Sequence, residues 1–107
     1  MSGGLRIALI GQSAFGESVL NALVQRGENI IAVCCPLDLA GERVDPVKLA
    51  GLKHNLPVLQ YKRMRNRDAI DAFGSLNLDL CVMAFVTDII PDAILKAPKK
   101  GSIQYHP

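Results

Sequence analysis

An almost pure apolar run from Leu5 to Ile10 stops at Gly11, and the apolar residues that follow, Phe15, Val19, Leu20, Leu23 and Val24, fall at helical spacing. Gly27 then closes the helix, and a second β-branched run, Ile30 to Cys35, ends at Pro36. Strand, glycine turn, helix and strand within about 30 residues make a βαβ unit, which needs a parallel sheet. The pattern continues. Asp45-Pro46 reads as an N-cap with proline at the first helical turn, opening a short helix to about His54. Leu56 to Leu59 reads as a third strand, Asp68 to Leu76 as a third helix, and Leu80 to Phe85 as a fourth strand. A short helix between Pro91 and Ala97 and a last strand from Gly101 to Tyr105 complete the chain. Strands that are apolar throughout, alternating with amphipathic helices, predict a doubly wound, mainly parallel five-stranded sheet with helices on both faces. Right-handed crossovers favour the order 3-2-1-4-5.

Size and charge narrow the function classes. The 107 residues suffice for one domain, and half of them are hydrophobic. A formal net charge of +2 is too small for nucleic-acid binding by bulk electrostatics. No apolar run approaches the roughly 18 residues that span a bilayer, and the start Met1-Ser2-Gly3-Gly4 lacks the features of a secretory signal, so a cytoplasmic location is expected. Cys34, Cys35 and Cys81 fit neither a disulfide framework nor a C-x-x-C site and are expected to be reduced core residues. The two histidines and the scattered carboxylates never reach metal-ligand spacing, so no metal site is expected.

Ligands of open α/β sheets bind beyond the carboxyl ends of the strands, near the point where strand order reverses. Gly11 to Gly16, Phe85 to Ile90 and Gln104 to His106 occupy such ends and are expected to share one crevice. Gly11-Gln12-Ser13-Ala14-Phe15-Gly16 outlines a dinucleotide fingerprint but puts Ser13 where the middle glycine admits a pyrophosphate. The second strand also ends without an acidic residue to hold a ribose. Tight turning and close helix packing explain Gly11 and Gly16 better. His106, with an imidazole that titrates near neutrality, is the candidate proton donor or acceptor, whereas His54 reads as solvated. The basic stretch Lys62 to Arg67 reads as a solvated loop or, more sharply, as an attractor for the anionic tail of a ligand.

Ile10-Gly11-Gln12-Ser13-Ala14-Phe15-Gly16 and Gly101-Ser102-Ile103-Gln104-Tyr105-His106-Pro107 resemble the amino-terminal domain of folate-dependent formyl transferases, and the likeness runs over nearly the whole chain. That family includes methionyl-tRNA formyltransferases, sugar formyltransferases and the hydrolase domain of 10-formyltetrahydrofolate dehydrogenase. The Gly-Gln-Ser-x-Phe-Gly and Tyr-His-Pro forms look most like the hydrolase domain. The resemblance implies a Rossmann-like fold that binds 10-formyltetrahydrofolate, with His106 assisting collapse of a tetrahedral adduct and Gln104 standing where transferases usually carry Asn. It implies a pterin pocket on Phe85, Asp88, Ile89 and Ile90, and an acceptor that is water, methionyl-tRNA or an amino sugar. The family continues past the histidine to an essential aspartate, so residues 1–107 are expected to be an incomplete domain, inactive alone, with a sheet edge open to self-association. The alternative is a non-catalytic or dinucleotide-binding module centred on Gly11 and Gly16.

Overall fold

The computed structural model describes residues 4–105. Five strands, β1 (Arg6–Gly11), β2 (Asn29–Pro36), β3 (Val58–Tyr61), β4 (Leu80–Ala84) and β5 (Ser102–Tyr105), form one sheet in the order β3-β2-β1-β4-β5. Every pairing is parallel. Helices α1 (Ser13–Gln25), α2 (Pro46–Lys53), α3 (Arg67–Ser75) and α4 (Asp92–Leu95) supply the crossovers, so the alternation in the sequence becomes the expected doubly wound sheet. Order reverses between β1 and β4, which run side by side from Ile7 opposite Leu80 to Gly11 opposite Ala84.

The period of two along β1 divides the core. Ile7 and Leu9 pack with Leu20, Val33 and Val47 on the α1/α2 face, and Ala8 and Ile10 pack with Phe73, Met83 and Ile94 on the α3/α4 face. Both layers are dry: no polar or charged residue is buried among the described residues. Gly51 lets α2 lie close on the sheet, since a Cβ there would stand 2.7 Å from Val33 Cγ2 and 2.9 Å from Val58 Cγ2.

One element is displaced from its expected position. The third strand runs from Val58 to Tyr61, not Leu56 to Leu59, because the N–H of Leu56 is taken by Gly51 O at the end of α2 (2.9 Å). Pro57, which has no N–H, gives its carbonyl to Val33 N (3.0 Å), and regular pairing begins only at Val58.

The three thiols are free and buried. Burial pushes Cys35 and Cys81 from 9.0 up to about 12, and it raises Cys34 as well. The folded state therefore holds protons that the unfolded chain releases above pH 9.0. Their contribution to stability is complete below that pH and is lost as pH climbs toward 12. Tyr61, also raised by burial, acts in the same direction. The urea midpoint is expected to fall between about pH 8 and about pH 10.5, with proton uptake or release on unfolding measured in parallel. A midpoint that is level across that interval, with no protons released, would contradict the account.

Candidate functional site

A cleft of about 410 Å³ opens beyond the carboxyl ends of β1, β2, β3 and β4. Its floor is apolar and rich in sulfur: Ile10 from β1, Cys34 and Cys35 from β2, Met64 after β3 and Val86 after β4. Cys34 Sγ lies 3.7 Å from Met64 Sδ. Gln12, Tyr61, Thr87 and Asp88 supply polar groups, and Lys62 and Arg63 stand at the rim. This size and mixture suit a small organic ligand.

The loops around the cleft are tied by long-range bonds that local sequence does not reveal. Asp88 accepts the Met64 N–H through Oδ2 (2.8 Å) and the Ile89 N–H through Oδ1 (2.8 Å), joining the β4–α4 loop to the β3–α3 loop. Thr87 donates to Gln12 Oε1 at 3.1 Å. Beside the cleft, Asp38 accepts from Lys48 and from Gln60, and these two bonds hold its carboxyl below the usual range.

At the start of α1 the backbone N–H of Ser13 donates to both oxygens of Asp45, at 3.0 and 3.1 Å. Asp45 also caps α2 as expected, accepting the Val47 N–H at 2.8 Å. An internal carboxylate thus occupies the helix terminus where a dinucleotide would place its pyrophosphate. Gly11 and Gly16 serve close packing: a Cβ at Gly11 would stand 2.6 Å from Ala84 O, and one at Gly16 would stand 2.7 Å from Val47 Cγ2. Ser13 itself has φ +64°, so the position that the fingerprint gives to glycine keeps a left-handed backbone without one.

The candidate site residues fall in different places. Asp88 lines the cleft, Ile90 packs against the α3/α4 core, and Ile89 projects outward with 80% of its surface exposed. Phe85, directly after β4, adopts φ +60°, a conformation that costs a bulky residue about 1–2 kcal/mol and turns the chain sharply off the strand. Gln104 does not reach the cleft. It borders a smaller hollow with Val19, Val82 and Tyr105, where Tyr105 stacks on Phe15 at 5.3 Å between ring centroids. His106 lies outside the described residues. Tyr105 pairs with Ala84, so the residues immediately preceding His106 and Phe85 are neighbours across the sheet. His54 bonds Asn21 Oδ1 at 2.9 Å on the surface, in keeping with a solvated role.

Among the described residues no group of three or more His, Cys, Asp or Glu is placed to hold a metal, and no helix is long and apolar enough to cross a membrane. Gln12 and Thr87 lie in strand-end segments expected to share the crevice, whereas the sequence did not single out Tyr61. Only the basic stretch after β3 had signalled that side of the sheet.

The order of strands, the reversal between β1 and β4 and the cleft beyond their carboxyl ends define a Rossmann-like α/β protein. More particularly, a family model for formyl transferases matches residues 5–107, and the chain belongs to that family. It is 37% identical over 108 residues to the mitochondrial 10-formyltetrahydrofolate dehydrogenase of Mus musculus, covering 96% of this chain and 12% of that protein. It is 35% identical over the same length to the methionyl-tRNA formyltransferase of Citrifermentans bemidjiense, covering 96% of this chain and 34% of that one. The chain therefore spans a minor part of these relatives. Glycinamide ribonucleotide transformylase 1 from Symbiobacterium toebii shares the fold, with a TM-score of 0.71 at 13% identity, over 100% of this chain and 53% of that one.

Proposed function

We propose that residues 1–107 form the 10-formyltetrahydrofolate-binding domain of an enzyme of folate-dependent formyl transfer. The observation that carries the reading is the pairing of Ala84 with Tyr105 within a chain of this family, because it sets the Phe85–Ile90 loop beside the strand that leads into His106. Phe85, Ile89 and Ile90 offer apolar contacts to a pterin, and Asp88 holds their loop against Met64. The exposure of Ile89 suits a side chain that a ligand covers.

In this reading a nucleophile adds to the formyl carbon, and His106 stabilises the negative oxygen of the adduct and delivers a proton to N10 as its bond to carbon breaks. Tetrahydrofolate leaves. Gln104 is assigned to the same oxyanion site. With water as nucleophile the second product is formate, and with an amine, as on methionyl-tRNA or an amino sugar, it is a formamide. Gln104 and Tyr105 favour water, and the likeness to 10-formyltetrahydrofolate dehydrogenases supports the same choice. A purely dinucleotide-binding role is opposed by the Asp45 carboxylate on the Ser13 N–H.

Calorimetric titration with a hydrolysis-resistant 10-formyltetrahydrofolate analogue, and separately with NADP, tests the proposal. Binding of the analogue alone is expected, weakened about tenfold or more by Ile89→Asp, since a carboxylate would be desolvated under the ring. NADP binding without folate binding, or binding of neither, would overturn it.

A further inference from the structure

We propose that the outward face of α2 is an interface between two copies of this chain, packed about a two-fold axis with the two helices antiparallel. The surface is separate from the cleft, since none of Val44, Leu49 and Leu52 lines it.

Three observations lead to it. First, α2 is apolar on both sides. Val47, Ala50 and Gly51 are buried, while Leu49 and Leu52, one turn apart on the other side of the helix, are 54% and 55% exposed. Val44, also exposed, precedes the N-cap, and Leu49 is the fourth helical residue, the spacing of a hydrophobic staple, so the three make one stripe. α3 shows the contrast, since Asp68, Asp71, Gly74 and Ser75 are among the residues it turns to solvent. A helix with leucines on its outer face as well belongs between two layers. Second, the stripe is in place before a partner arrives. Asp45 caps the start of α2, and a Schellman motif closes its end: Leu56 N–H donates to Gly51 O (2.9 Å) and Asn55 N–H to Leu52 O (3.1 Å), with Asn55 at φ +59°. His54 Nε2 lies 2.9 Å from Asn21 Oδ1 and ties that end to α1, so docking orders little. Third, charge makes the surface self-complementary. Asp38, Glu42 and Asp45 outnumber Arg43 and Lys48 at the start of α2, and Lys53 stands in its last turn. Glu42 and Lys53 are exposed, and neither is in an ion pair among the described residues. Antiparallel packing about a two-fold axis sets Leu49 of one copy against Leu52 of the other and brings each Lys53 to the acidic helix start of its neighbour.

Sedimentation of residues 1–107 over a concentration series tests the interface. A small contact of this kind is expected to give a monomer–dimer equilibrium with half-dissociation at about 10–100 μM. Leu49→Gln combined with Leu52→Gln is expected to weaken it about a hundredfold, since each replacement counts twice in a two-fold contact. Ile103→Lys, which blunts the exposed edge strand β5, is expected to leave it unchanged. Glu42→Lys and Lys53→Glu should each weaken the dimer about threefold, and the two together should restore it. A monomer up to about 1 mM would overturn the proposal and leave the face to a different partner. Association abolished by Ile103→Lys but not by the leucine pair would move the contact to the β5 edge and overturn it equally, and failure of the charge exchange to restore affinity would overturn the antiparallel arrangement. All five side chains are exposed, so folding is preserved in each variant.

Discussion

Gly11→Ala is expected to destabilise the chain by about 3 kcal/mol, the upper end of the cost of overpacking. A Cβ at this position would stand 2.6 Å from Ala84 O, and a backbone oxygen cannot swing aside as a side chain can. The pair Gly11–Ala84 must separate, at the point where strand order reverses and the cleft begins. Since a domain of this size has about 5–15 kcal/mol in total, the loss is a large share of it. Urea unfolding should show a lower midpoint with little change in slope. Gly74→Ala provides the contrast, because a Cβ there meets nothing within 4 Å in the exposed face of α3. That replacement should stabilise by about 0.5–1 kcal/mol through helix propensity. Equal midpoints for the two variants would refute the packing account of Gly11.

Asp45→Ala is expected to cost about 3 kcal/mol, summed from a lost N-cap and a stranded donor. Oδ1 serves Val47 N at 2.8 Å and Ser13 N at 3.0 Å, so removing it loosens the start of α2 and the β1–α1 turn together. Ser13 would keep its left-handed backbone with nothing to compensate it. Asp45→Asn retains an Oδ1 that can receive both bonds and should lose only about 1 kcal/mol. Unfolding midpoints for both variants, with hydrogen exchange at Ser13 and Val47, provide the check. A loss confined to Val47 would mean that the contact to Ser13 contributes nothing.

Local chemistry made the architecture legible. The change of period at Gly11, the Asp45-Pro46 start and the apolar run Leu80 to Ala84 each announce their element in a few residues. What stayed hidden depends on partners distant in sequence. That Asp45 would serve Ser13, 32 positions away, and Asp88 would serve Met64, 24 positions away, follows from the crossovers and not from any motif. For the same reason the cleft extends to Tyr61, Lys62 and Arg63, while Gln104, expected in the same crevice, borders a separate hollow. The third strand was displaced by two residues because the end of α2 claims Leu56 N–H, a competition that the apolar pattern alone cannot resolve.

The sulfur-lined floor also gives the molecule its own clock. Cys34 and Cys35 remain thiols, not thiolates, while the sheet is closed, so an alkylating reagent finds a reactive sulfur only during an opening. The rate of their labelling measures how often the cleft breathes, and whatever ligand settles on that floor will slow it in proportion to its occupancy.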